Sequence, residues 1–216
     1  MWFLAHIYAF IRNADFVFHS RSYSMSLLAQ YEMRFTMYTS DSVYLKFKEA
    51  LKNELFKIKI DDFESAWCNG LANKTKFYEL FFSGLASSMS LYTVYEQYRC
   101  DMTFIDEDEI PLVLIETENN HTTASLEISQ LCGLNAPLKV LVISCDWFDS
   151  EREKWIPIWS DIIRKYNLAF PTNSKFCVVV GEWGRGHPCD DILRYYVVTM
   201  SNMGEVIEEI EWRIQT

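Results

Sequence analysis

The chain has 216 residues, 50% of them hydrophobic and 23% charged, with a net charge of −10. That length fits one domain, or one core domain with an arm, and the composition excludes a disordered chain. The acidic balance excludes a protein that coats nucleic acid through Lys and Arg alone. It does not exclude a nucleic-acid enzyme, because acidic metal ligands add to the negative count.

Residues 1–40 are aromatic and irregular in pattern. The opening MWFLAHIYAFIRNADFVF lacks a basic start and a small-residue cleavage site, and Arg12, Asn13 and Asp15 interrupt it. It reads as a packed or interface segment rather than a signal peptide or a membrane span. The six cysteines, Cys68, Cys100, Cys132, Cys145, Cys177 and Cys189, form no CxxC pair, and several fall in apolar runs. They read as reduced, buried thiols of a cytoplasmic protein.

A helix is predicted from Asp41, capped by Asp41 or Ser42, with Tyr44, Phe47, Leu51, Leu55 and Ile58 at helical spacing. Its lysines, Lys46 to Lys59, read as a solvated face. Residues 61–75 read as a loop with a short helix. A second helix runs from Thr75 and ends near Gly84. Strands follow at Ser90–Tyr95 and at Tyr98–Ile105, where Arg99, Asp101 and Thr103 share one face. Asp106 to Glu109 is a solvated turn. Leu112–Glu118 is a buried strand whose end becomes polar.

Thr122–Leu134 reads as a helix, with Thr122 or Thr123 as N-cap and Gly133 as stop. Lys139–Ser144 is a central strand, 150–167 an amphipathic helix, and Phe176–Val180 another buried strand. Gly181–Pro188 is a Gly-rich loop that matches no Walker or dinucleotide pattern. Leu193–Met200 is strand-like, and Glu205–Ile214 is ambiguous between helix and strand. The order predicts one α/β domain over 1–216 with a mixed central sheet flanked by helices. Within it, 75–145 is the functional core and 146–216 a C-terminal extension of the sheet.

The chemistry concentrates between Arg99 and Trp147. Glu116 and Glu118 are two apart on a strand and so share a face, and Asp101 joins them if the two strands form a hairpin. A carboxylate directly after the run LVLI is costly to bury without a partner, which marks Glu116 most strongly. Three acidic oxygen donors at one sheet edge suit a hard divalent cation, Mg²⁺ or Mn²⁺, with Glu79 or else Glu96 completing the shell. Gln130, three residues after Glu127, lies on nearly the same helix face.

This stretch resembles the core of the PD-(D/E)XK nuclease superfamily, the restriction-endonuclease-like fold. Asp101 matches the family's Asp, Glu116 its first acidic position, and Gln130 its helix position, while Glu118 stands where Lys is usual. The resemblance covers roughly residues 75–145. It implies a Mg²⁺-dependent nuclease that hydrolyses phosphodiester bonds, most readily in DNA, with Asp101, Glu116, Glu118 and Gln130 as catalytic residues. Asp101, Glu116 and Glu79 would hold the metal, and Glu118 would serve as general base or second ligand. His121, Arg185 and His187 are candidate nucleic-acid contacts, and a homodimer suits duplex cleavage. The alternatives are an inactive module of the same fold, binding nucleic acid or protein, and an α/β protein whose acidic cluster is accidental.

Overall fold

The computed structural model describes residues 38–59, 61–62, 71–145, 147–183 and 192–215. The aromatic segment 1–37, Cys68, Cys189 and most of the Gly-rich loop, with Arg185 and His187, lie outside the described residues. Among the described residues four helices and seven strands follow one another in the order α1 (Ser40–Leu55), α2 (Leu71–Ser88), β1 (Tyr92–Gln97), β2 (Cys100–Ile105), β3 (Pro111–Glu118), α3 (Ala124–Cys132), β4 (Leu138–Ser144), α4 (Asp149–Ala169), β5 (Lys175–Trp183), β6 (Ile192–Met200) and β7 (Val206–Gln215).

The strands lie in the sheet in chain order. The β1–β2 and β2–β3 pairs are antiparallel, β3–β4 and β4–β5 parallel, and β5–β6 and β6–β7 antiparallel. The chain is therefore α/β with a mixed sheet. All seven residues of β4 are buried, as a strand covered on both faces requires.

Alternation along the strands sorts the core into two layers. On one face Phe47, Leu51 and Leu55 of α1 and Phe82 and Leu85 of α2 pack on Val113, Ile115, Val140, Val142 and Val179. On the other, Ile128 and Leu131 of α3 and Trp159 and Ile163 of α4 pack on Leu114, Leu141, Ile143 and Val178. The Lys48–Glu208 ion pair, 2.9 Å, ties α1 to β7.

Several boundaries differ from the sequence reading. Thr39, not Asp41 or Ser42, caps α1, accepting from the Ser42 N–H. Asp41 instead pairs with Lys175. The helix α2 runs through Gly84 to Ser88, because a glycine costs a helix only about 1 kcal/mol and does not end it by itself. Thr123 is the N-cap of α3 without a side-chain cap bond; its hydroxyl donates to the Asn120 carbonyl. The ambiguous C-terminal segment is a strand, because β6 offers it a partner along its whole length.

Gly204, in the β6–β7 turn, has φ +75°, and a Cβ there would lie 2.1 Å from the Ser160 carbonyl oxygen on α4. Gly204→Ala therefore meets both a left-handed backbone and a backbone clash. Urea unfolding should show a loss of at least ~1 kcal/mol; an unchanged midpoint would contradict this packing.

Candidate functional site

The strand β3 is buried from Leu112 to Ile115, and the next residue, Glu116, is still only 5% exposed. Alternation puts Glu116 on the face of Leu114, beneath α3. The register Met102↔Ile115 brings Asp101 of β2 alongside it. Glu116 Oε1 accepts a hydrogen bond from Gln130 Nε2 at 2.6 Å. The Asp101 backbone N–H and the Cys100 thiol also hydrogen-bond to its carboxyl.

Burial pushes the Glu116 carboxyl up to about 7, and the Asp101 and Glu127 carboxylates add to the rise. The bonds from Gln130 and the Asp101 backbone favour the charged form but do not offset the burial. Burial, with the charges of Glu118 and Asp101, also raises Glu127. The Cys100 thiol is pushed up to about 12 by burial and then by Glu116, so it stays protonated.

Asp101 closes the hairpin. Its Oδ2 accepts from the Thr117 N–H at 2.9 Å and from the Thr117 hydroxyl at 2.5 Å, just where the β2–β3 ladder stops. Among the described residues its Oδ1 makes no hydrogen bond. Glu118 folds back on its own loop, where Oε1 accepts from the N–H groups of Asn119 and Asn120 at 2.7 and 3.0 Å.

Asp101, Glu116 and Gln130 thus come together, as read from the sequence. The other candidates do not join them. His121 packs edge-on against Trp147 and Trp155, with ring centroids 6.3 and 5.6 Å away. Glu79 sits on α2, whose core contacts lie on the opposite face of the sheet from Glu116. Glu96 lies in the β1–β2 hairpin.

Two residues were missed. Glu127, given no role in the sequence reading, flanks the cluster and adds to the rise of Glu116; its spacing of three from Gln130 was the available signal. Lys139, inside the central strand β4, is 1% exposed, with its Nζ 5.0 Å from the Phe176 ring centroid. Burial brings its ammonium down to about 8, with the nearby Cys132 and Cys100 thiols opposing.

Among the described residues no group of three or more His, Cys, Asp or Glu side chains is arranged to hold a metal ion. Mg²⁺ needs several oxygens in near-octahedral array, but Asp101 Oδ2 and Glu118 Oε1 are spent on backbone N–H groups, and Glu79 is across the sheet. Among the described residues the expected Mg²⁺ or Mn²⁺ ligands therefore do not converge as a set of three.

No family model and no curated protein matches the chain. Among solved structures it is similar to a carbon-nitrogen hydrolase from Helicobacter pylori G27, at 10% identity and a TM-score of 0.35, over 65% of this chain and 67% of that one. Likeness of this degree assigns no activity to the present chain. The PD-(D/E)XK reading is corrected: no family model supports it, and the solved structure found is described as a carbon-nitrogen hydrolase. Nuclease activity, DNA binding and the inactive restriction-endonuclease-like module fall with it. The physical reason is that a short acidic spacing does not by itself fix what each carboxylate binds: Asp101 holds Thr117. Here Glu118, at the position of the family's Lys, serves its own turn.

The two shifted groups carry opposite pH signatures. Glu116 rises from 4.5 to about 7, so its stabilising contribution is complete below 4.5 and lost as pH rises through 7. Glu116→Gln should be more stable than the parent at pH 8, by about 3 kcal/mol, and equal to it near pH 4. Lys139 falls from 10.5 to about 8, so its contribution is complete above 10.5 and lost as pH falls through 8. Lys139→Met should therefore stabilise at pH 7, by roughly 2 kcal/mol after loss of the contact with Phe176, with the gain shrinking toward pH 10. Urea unfolding across pH checks both; a pH-independent difference in either variant would contradict the assignment.

Proposed function

We propose that the chain is an acid–base enzyme in which Glu116 gives and takes the proton, working on a small polar substrate at the end of β3. A carboxyl that titrates near 7 is present in both forms at neutral pH, which is what a group serving as acid in one step and base in another requires. Asp101 stands beside it in a different environment, held by Thr117, with Oδ1 open. Two neighbouring carboxyl groups in unequal environments divide the roles of proton donor and charge stabiliser. Such a pair supports hydrolysis: ionised Glu116 takes a proton from the water that attacks the substrate carbon, then gives that proton to the departing group, which regenerates the carboxylate.

The observation that carries this reading is the buried Glu116 carboxyl, raised to about 7 beside Asp101 and Glu127. A perturbed carboxyl with named perturbers is a physical reason to look for catalysis at that point. Access is over the rim formed by half-buried Asp101 and Glu127 and exposed Gln130. The described cysteines Cys100, Cys132 and Cys177 form no disulfide, in keeping with a reducing, cytoplasmic setting. Among the described residues no helix is long and apolar enough to cross a membrane.

The test pairs ¹³C NMR titration of the Glu116 carboxyl with hydrolysis of ester, amide and glycoside panels. A midpoint near 7, and an activity whose pH profile shares that midpoint and disappears in Glu116→Gln, is the expected result. A Glu116 midpoint in the ordinary carboxylate range, or activity that survives Glu116→Gln, would overturn the reading.

A further inference from the structure

The strands β1 and β2 are joined by the two-residue turn Tyr98–Arg99, closed by the Gln97–Cys100 pair. Both turn residues have positive φ, 56° and 61°. Two left-handed residues match the twist of a hairpin, and Asn-Gly is the pair that adopts them with least strain. Tyr and Arg carry Cβ atoms that oppose this backbone. Glu96, two residues before Tyr98, also has a positive φ, 52°; it stands opposite Asp101, outside the paired register. Strain is thus gathered in the few residues directly before Asp101, a placement that points to a job for the turn.

One side chain holds this turn to the rest of the site. Gln130 Nε2 donates to the Arg99 carbonyl at 2.5 Å and to Glu116 Oε1 at 2.6 Å. A primary amide nitrogen has two hydrogens, so both are in use, one on the strained turn and one on the buried carboxyl. The groups facing Glu116 are Cys100 and Asp101 from β2 and Glu127 and Gln130 from α3. None is a cation, so the Gln130 amide, the Asp101 N–H and the protonated Cys100 thiol are the donors that hold its ionised form.

We propose that Gln130 is the positioning residue of this site: its amide nitrogen braces the Tyr98–Arg99 turn against Glu116 and so keeps Asp101 beside that carboxyl. Its Oε1 is left to accept an N–H or O–H from a bound molecule. This rests on the reading of Glu116 as the proton carrier. A hydrogen bond to an ionised carboxylate is stronger and shorter than one to a neutral acid, so the turn should feel the charge on Glu116 through the amide.

The experiment is NMR on the full chain. In the parent protein the Tyr98, Arg99 and Cys100 amide shifts should titrate with the same midpoint as the Glu116 carboxyl. Gln130 is exposed, so Gln130→Ala leaves the core intact. In that variant the turn amides should stop following Glu116, exchange with solvent about tenfold faster, and leave Glu116 with a higher midpoint. Adding Tyr98→Asn and Arg99→Gly should restore slow exchange to the turn without restoring the coupling. Turn amides that ignore the titration in the parent, or follow it equally in Gln130→Ala, would overturn the brace. If the turn follows Glu116 at an ordinary carboxylate midpoint, the brace stands and the acid–base reading falls.

Discussion

The site depends on one constraint: a carboxyl is buried where β3 leaves the core. The strand lies between two neighbours and two helix layers, so its residues are covered on both faces, and the cover extends one position beyond the apolar run to Glu116. A buried carboxyl without a cation keeps its proton more tightly and needs donors for its oxygens. The neighbours supply them: the Asp101 N–H and the Cys100 thiol from β2 and the Gln130 amide from α3. The raised titration, the placement of α3 and the closure of the β2–β3 hairpin are parts of the same arrangement.

The sheet gives that arrangement its location. At β3 the pairing changes from antiparallel, toward β2, to parallel, toward β4. The hairpin side can bring Asp101 directly opposite the end of β3. The parallel side requires a crossover helix, and that helix carries Gln130 and Glu127 over the same point. The carboxyl, the hairpin and the helix therefore meet because of connectivity. Lys139, one strand further in, shows the cost of the same cover applied to an amine: among the described residues no carboxylate pairs with it, and it lies against Phe176 with its ammonium disfavoured.

The acidic spacing Asp101, Glu116, Glu118 suggested a metal nuclease, and the structure gives each carboxylate a different task. Asp101 continues a backbone ladder with its side chain, Glu118 caps a loop, and Glu116 stays under the helix. All three have the residue type of a ligand. What separates ligand from cap is which N–H groups lie nearby, and that follows from where the strand ends relative to the turn. The same reasoning explains Glu127, which is solvent-facing by helical period yet drawn into the cluster because α3 sits over the end of β3.

Most of the architecture was legible in the sequence because local physics repeats along the chain. The apolar spacing of Tyr44, Phe47 and Leu51, the runs LVLI and KVLVIS, and the polar end of β3 specify helices and buried strands through burial alone. The pairing of Asp101 with Glu116 followed from that order once the two strands were read as a hairpin, whereas Gln130 was singled out by the family resemblance that is now corrected. The Tyr98–Arg99 turn did not, since neither residue advertises a left-handed backbone; only the hairpin twist and the Gln130 brace select it. Nor did the strand at Val206–Gln215, which β6 decides by pairing with it. Burial patterns are written residue by residue, so sequence carries them. Which oxygen meets which N–H is a property of several segments at once, and only their packing decides it.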